Sequence, residues 1–332
     1  MAAKKLRLGI IGVGKHGRRY ARHAREDCPD VELVGIVRGH LEAARQTAEE
    51  FGCRAYTDYR ELIAAGEVDA IVVAVPPMLH MDIVPCAARA GRPILLEKPA
   101  AANREAAQAL VDAVRRYPVP IMVAHTLRYN GVVRALLSHR PAIGAVHSLS
   151  LSQRFEPSSL PWIDDPALAG GGMTLHTGVH SFDLLRLLTG LEADRVSCQM
   201  ERVHTRHTED SFAAIVQLGG GAALATVSGA RTAPGRTGHI EIAGERGTLI
   251  GDHVLNQASL VVGSSVRPID VGPPVPTVRE VLGAFVEALR TGAPMPVPLE
   301  EGLRAVAIAD ACYASARTGA VAAVERFVLM NG

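Results

Sequence analysis

The chain has 332 residues, 48% of them hydrophobic and 21% charged, enough apolar material for two sizeable domains rather than one. Its 35 basic and 34 acidic residues leave a net charge of +1, which supplies no field for gripping nucleic acid or an anionic membrane, so small molecules and copies of itself are the expected partners. Five scattered cysteines, Cys28, Cys53, Cys86, Cys198 and Cys312, form no Cys-x-x-Cys pair. With no apolar leader at the amino terminus and no run long enough for a membrane span, they point to reduced thiols in a cytoplasmic protein.

Leu6 to Ile11 reads as a strand, and Gly12-Val13-Gly14-Lys15-His16-Gly17 follows at once, opening a helix that runs to about Glu26. A Gly-x-Gly-x-x-Gly match is weak alone and gains force where a strand turns directly into a helix. The missing side chains at Gly12 and Gly14 let a pyrophosphate reach the amides of the helix amino terminus, beside Lys15 and His16. Gly17 lets helix and strand pack closely. A glycine turn that binds nothing is the alternative. A second strand, Val31 to Val37, ends at Arg38-Gly39-His40, where dinucleotide folds usually carry an acid for the adenosine ribose hydroxyls. Arg38 cannot accept those bonds but can pair bidentately with a 2′-phosphate. This favours NADP, with NAD as the alternative; stacking of Arg38 on the adenine would leave the preference open.

A helix from Leu41 to Phe51, a short strand at Arg54 to Tyr56 and a short helix around Tyr59 to Ala65 come next. The strand Asp69 to Val75 is apolar on both faces, as at the centre of a parallel sheet. It breaks at Pro76-Pro77-Met78-Leu79-His80, which puts Pro76 and His80 at the carboxyl edge. After a helix from His80 to Ala90, the run Ile94-Leu95-Leu96-Glu97-Lys98-Pro99 reads as a buried strand stopped by proline. Glu97 and Lys98 then stand at a strand's carboxyl end, where open α/β sheets hold their ligand crevice. A lysine shielded there can have its pKa lowered toward neutrality and exchange a proton with a substrate hydroxyl; a solvated loop lysine is the bland alternative. A helix from Asn103 to Arg116, capped by Asn103, and a strand from Pro120 to Ala124 complete a doubly wound, Rossmann-type NAD(P)-binding domain over residues 1–124.

Residues 125–332 read as an α+β domain for substrate binding and oligomerisation. A helix spans Asn130 to His139, and strands span Ala145 to Phe155, Val196 to His204, Ser211 to Leu218, Ala222 to Ala230 and His239 to Ala243. The alternation in His147-Ser148-Leu149-Ser150-Leu151-Ser152 suits a mostly antiparallel sheet covered on one face. The open face suggests a homodimer or homotetramer. Gly170 to Asp183 reads as a helix in which His176 and His180 share one face. Three roles compete for that pair: acid-base catalysis, metal binding, for which no third ligand is evident, and structural packing. A helix from Val278 to Arg290, a proline-rich link from Pro294 to Pro298, a helix from Glu300 to Arg317 and a strand near Val321 to Phe327 finish the chain.

Gly12 to Gly17, Pro76-Pro77-x-x-His80, Glu97-Lys98-Pro99, Trp162-x-x-Asp165-Pro166, the triple glycine from Gly170, Gly178-x-His180 and Glu209-Asp210 occur in one order. That series resembles the Gfo/Idh/MocA family of sugar and cyclitol oxidoreductases over nearly the whole length. The resemblance implies hydride transfer between a nicotinamide and a secondary alcohol or carbonyl of a sugar, sugar derivative or cyclitol. It implies that Lys98 bonds the reacting oxygen, that His180 is the acid-base partner, and that Glu97 and His80 lie nearer the nicotinamide ribose. His176 stands where many members carry aspartate, so the charge that would orient His180 is missing. His125, Arg128, Tyr129 and Trp162 are read as substrate contacts. A non-catalytic nucleotide or sugar sensor and a metal-dependent lyase or hydrolase are the competing classes; no metal is expected.

Overall fold

The computed structural model describes residues 5–327, so the reading of the extreme amino terminus lies outside the described residues. The first sheet contains β1 (Leu6–Ile11), β2 (Val31–Val37), β3 (Arg54–Tyr56), β4 (Ala70–Val73), β5 (Ile94–Leu96) and β6 (Ile121–Val123), all parallel, in the order β3-β2-β1-β4-β5-β6. Every residue of β4, β5 and β6 is buried, because helices cover both faces of a parallel sheet. The crossovers are α1 (Lys15–Glu26), α2 (Leu41–Phe51), α3 (Tyr59–Ala64), α4 (His80–Arg89) and α5 (Arg104–Arg116). The Asn103 side chain caps α5 by accepting from the Ala106 amide at 2.9 Å. Strand order reverses between β1 and β4, and the crevice at such a switch point is where these sheets bind ligands.

The second sheet has nine strands: β7 (Val146–Arg154), β8 (Ala193–Glu201), β9 (Ser211–Leu218), β10 (Ala223–Ala230), β11 (Thr237–Gly244), β12 (Gly247–Asp252), β13 (Gln257–Val262), β14 (Ser265–Pro268) and β15 (Ala322–Ala323). Its order is β14-β13-β12-β11-β7-β10-β9-β8-β15, antiparallel except for β7 beside β10. Leu149, Leu151, Val216, Val227, Ile240 and Leu249 point to the buried face. They pack in one core with α6 (Gly131–Ile143) and α8 (Val179–Thr189), where Val132, Leu136, Phe182 and Leu185 are buried; the short α7 (Pro166–Ala169) lies between those two helices in sequence. The other face of the sheet leaves Ile215 51% and Leu224 52% exposed on neighbouring strands.

The contacts divide the chain differently from a single cut after residue 124. One unit holds the described residues up to Thr126 together with Pro276–Leu303 and Phe327; the other holds Leu127–Val275 and Arg304–Arg326. Helix α9 (Thr277–Thr291) thus belongs with the first sheet, and the division falls within α10 (Leu299–Thr318). The returning segment is held by backbone pairing: the Val123 amide donates to Val297 O at 2.8 Å and Met122 bridges Pro298. A sheet edge offers donors to any extended segment that reaches it, and the proline-rich link supplies one. The strand expected from Val321 to Phe327 is confined to Ala322–Ala323.

Candidate active site

Gly12 follows β1 directly with φ +89°, and its amide donates to Val37 O at 3.1 Å. A Cβ there would sit 2.5 Å from Ala74 O, and one at Gly17 would sit 2.0 Å from Gly12 O. At Gly14 a Cβ would meet nothing within 4 Å. The turn is thus closed on the sheet side and open on the other. Helix α1 begins at Lys15 with no side-chain cap and no acid in its first turn, so its leading amides face that open side with the positive end of the helix dipole. This cradle fits a dinucleotide pyrophosphate. Lys15 and His16 are exposed beside it.

Arg38, just past β2, donates from Nη1 to Thr47 Oγ1 at 3.0 Å on α2. Thr47 in turn donates to Ala43 O at 2.8 Å. The guanidinium is held from one edge and no acid stands at the strand end.

Pro76 precedes a 3-10 turn, Pro77–Leu79, that leads into α4. His80 opens α4, is buried, and has Nδ1 3.1 Å from Ala100 O. Burial holds its pKa below the ordinary value against the pull of nearby carbonyls, so the ring is neutral, with Nδ1 donating. Its Nε2 is buried with no hydrogen-bond partner among the described residues.

Glu97 is the first residue beyond β5, and its amide extends the ladder to Val73 O at 2.9 Å. Glu97 is 6% exposed. Oε1 accepts from the Tyr20 hydroxyl at 2.8 Å and Oε2 from the Lys98 amide at 3.1 Å. Lys98 is partly buried and precedes Pro99 through a cis peptide. Tyr20 was not singled out from the sequence; its place on the buried face of α1, in the turn after Gly17, was the signal available.

His125 is fully buried. Arg128 and Tyr129 lie on a 3-10 turn, Thr126–Tyr129. Arg128 donates from Nε to Asp183 Oδ2 at 2.8 Å and from Nη2 to Oδ1 at 2.5 Å. That bidentate pair ties the turn to α8, so Arg128 serves this joint before any ligand. Tyr129 is buried against the Arg134 guanidinium, 5.2 Å from its ring centre.

Residues Thr174–Gly178 form a π turn, and α8 starts only at Val179; the sequence reading of one regular helix is corrected here. Insertions of this kind mark functional segments. The turn is anchored at its start by Glu209, whose carboxylate accepts from the Gly172 amide at 3.1 Å, the Thr174 amide at 2.9 Å and the Tyr313 hydroxyl at 2.7 Å. His176 is 4% exposed. Its Nε2 lies 3.1 Å from Ala169 O, and its ring meets Trp162 edge-on at 5.3 Å. His180 is the partly exposed residue of the run from Gly171 to His180. The two residues therefore differ: His176 is buried, and His180 is partly exposed with its Nδ1 turned away from solvent. Among the described residues, no group of three or more histidine, cysteine, aspartate or glutamate side chains is placed to hold a metal, and no helix is long and apolar enough to cross a membrane.

Two family models match this chain. An oxidoreductase-family NAD-binding Rossmann fold covers residues 6–125, and the same family's C-terminal alpha/beta domain covers residues 141–324. The chain is similar to the rhizopine catabolism protein MocA of Rhizobium meliloti, 26% identical over 311 residues that make up 92% of this chain and 94% of that protein. It is also similar to an inositol 2-dehydrogenase of Rhizobium meliloti strain 1021, 26% identical over 328 residues, 93% of this chain and 96% of that one. A levoglucosan dehydrogenase solved with NADH and L-sorbose shares the fold, with a TM-score of 0.88 at 23% identity over 98% of this chain and all of that one. With both halves matched in order, the chain belongs to the Gfo/Idh/MocA oxidoreductase family.

Proposed function

We propose that this protein is an NADP-preferring dehydrogenase or reductase acting on a secondary alcohol or carbonyl of a sugar, sugar derivative or cyclitol. The observation that carries the reading is Lys98 at the carboxyl end of β5, its backbone fixed by Glu97, in the same unit as the pyrophosphate cradle at Gly12–Gly17. The family's sugar and cyclitol members, among them the inositol 2-dehydrogenase, support the substrate class.

In the oxidising direction, Lys98 Nζ bonds the substrate hydroxyl and draws its proton as the carbon–oxygen double bond forms; in reduction it returns that proton. A bound nicotinamide supplies the hydride acceptor or donor. His180, partly exposed, is assigned the acid-base role that the family resemblance implies. His176 acts through packing: tied to Ala169 O and Trp162, it fixes the turn that presents His180. Glu97 sets the Lys98 backbone, and the neutral His80, with its Nε2 open to accept, serves the nicotinamide ribose. Arg38 takes the adenosine 2′-phosphate with the donors that Thr47 leaves uncommitted. Ile215 and Leu224 on the open face of the second sheet support a homodimer or homotetramer.

Reduction and oxidation assays of sugars, sugar acids and cyclitols with NAD and NADP test the reading. It predicts turnover with at least one polyol and a lower KM for NADP. Absence of nucleotide-linked turnover across the panel, with nucleotide binding intact, would contradict it.

A further inference from the structure

The consecutive backbone amides of residues 203–208 are divided between two carboxylates. Asp210, 3% exposed, accepts from the Val203, His204 and Thr205 amides at 2.8, 2.7 and 3.2 Å. Asp164 accepts from the Arg206, His207 and Thr208 amides at 2.9, 2.9 and 3.0 Å. Successive amides aimed at one point form a socket for an anion. The two carboxylates that fill it differ in origin. Asp210 is buried and shapes its own loop from five to seven positions away, whereas Asp164 is partly exposed and arrives from 42 positions away or more. Thr208 adds a bond from Oγ1 to Ile163 O at 3.0 Å. Desolvation acts to raise the Asp164 pKa, but the Thr208, Arg206 and His207 amides outweigh it and bring it down to about 2. The carboxylate is therefore charged at neutral pH.

The chain leading to Asp164 has little else to hold it. Pro157, Ser158, Ser159 and Pro161 are exposed. The hydrogen bonds of this stretch are local: the Leu160 amide donates to Ser158 Oγ at 3.2 Å, and Leu160 O accepts from the Ile163 amide at 3.2 Å. At its base Glu156 Oε2 accepts from Arg236 Nε at 2.8 Å, an exposed pair of a kind that contributes little. At its far end Asp165 Oδ1 accepts from the Ala167 amide at 3.0 Å and caps α7.

Beneath this segment lies a cavity of about 120 Å³, with Pro157, Ser158 and Ile163 on one wall and Met173, Glu209 and Arg231 on the other, all within the unit Leu127–Val275. Trp162, two residues before the Asp164 latch, meets the His176 ring edge-on at 5.3 Å. We propose that residues 156–165 form a lid over this cavity, latched shut by Asp164 in the socket of the 206–208 amides, and that release of the latch admits water and small solutes to the cavity and uncovers His176. Lids of this kind are drawn from segments with few contacts on a rigid frame. Asp210 keeps the loop in shape while Asp164 is out, so the lid recloses on a preformed socket. The opening needs neither nucleotide nor sugar and stands apart from the dehydrogenase reading.

The experiment places a thiol under the lid. Met173 lines the cavity and is 1% exposed. Met173→Cys in the full chain is treated with N-ethylmaleimide, and modification at position 173 is read by peptide mass spectrometry, which separates it from the five native cysteines. Because lid opening is local, the labelling rate is expected to be nearly independent of urea well below the unfolding midpoint. Adding Asp164→Ala should speed labelling by about tenfold or more, and Asp164→Asn, which keeps one acceptor oxygen, by less. Hydrogen exchange should quicken at the 206–208 amides in Asp164→Ala and stay unchanged at residues 203–205, which Asp210 holds. Circular-dichroism melts check that each variant folds; Asp164→Asn carries the same comparisons should Asp164→Ala not fold. Labelling with the urea dependence of global unfolding overturns the proposal, as does a folded Asp164→Ala that labels no faster than Met173→Cys alone. Equal rises in exchange over residues 203–205 and 206–208 overturn the latch, because the whole loop would then have loosened.

Discussion

The Tyr20 hydroxyl donates to Glu97 Oε1 at 2.8 Å, joining the first helix to the end of the fifth strand in a place buried from solvent. The other oxygen of Glu97 accepts from the Lys98 amide at 3.1 Å, so one phenol orients the carboxylate that orients the lysine backbone. Removing the phenol oxygen leaves a buried carboxylate short of a charge-assisted bond. Tyr20→Phe is therefore expected to lower stability by about 1.5–3 kcal/mol, measured as a shift of the urea midpoint at unchanged slope. No change in midpoint would show that the bond contributes nothing to the fold.

Alkaline pH should expose the same contact. Burial, then the charge of Glu97, then its hydrogen bond hold the Tyr20 phenol well above its ordinary value of 10. Burial and Glu209 do the same for Tyr313. In the unfolded chain both phenols lose their protons near pH 10, while in the folded chain they keep them. Above that pH the folded state binds more protons than the unfolded one, so stability falls as pH rises; below it the contribution is fully present. Unfolding free energies at about pH 9 and about pH 11 should therefore differ less in Tyr20→Phe and in Tyr313→Phe than in the parent. Parallel pH slopes in all three proteins would contradict this.

Arg38 is positioned by Thr47 without being neutralised. Arg38→Gln is expected to weaken NADP binding by about tenfold or more while changing NAD binding less. Calorimetric titration with each nucleotide checks it, and equal losses for both would remove the 2′-phosphate role.

Glu209 anchors the π turn through two amides and the Tyr313 hydroxyl. Glu209→Gln replaces an acceptor oxygen with a donor facing other donors. The expected cost is about 1.5–3 kcal/mol, with faster hydrogen exchange at the Gly172 and Thr174 amides. Unaltered exchange there would mean that the turn is held by its packing alone.

Much of the dinucleotide-binding unit was legible because its signals are local. The β1 strand, the glycine turn and α1 are contiguous, and the apolar strands through Val123 are short, evenly spaced runs. Glu97 and Lys98 could be placed at a strand end because Pro99 terminates the run in sequence. What stayed hidden depends on partners distant along the chain. The Tyr20–Glu97 bond spans 77 positions, and the return of residues 276–303 to the first sheet rests on backbone pairing at Met122 and Val123, which no side-chain pattern announces. Strands β12, β13 and β14 form successive hairpins whose polarity alternates too weakly to separate them from loops. The π turn at Thr174–Gly178 has the residue content of an α-helix; the Glu209 anchor at its start lies 35 positions from Thr174. For the same reason His176 and His180 read as equivalents in sequence and are not equivalents in burial.

The central claim is that Lys98 handles the proton of the reacting hydroxyl, and Lys98→Met tests it most directly. The side chain keeps its length and apolar stem and loses its proton, so the nucleotide cradle at Gly12–Gly17 is left intact. With the best substrate and nucleotide from the panel, kcat is predicted to fall by about 10²- to 10⁴-fold, while the nucleotide dissociation constant changes only a few-fold. Turnover in Lys98→Met equal to that of the parent would contradict the account.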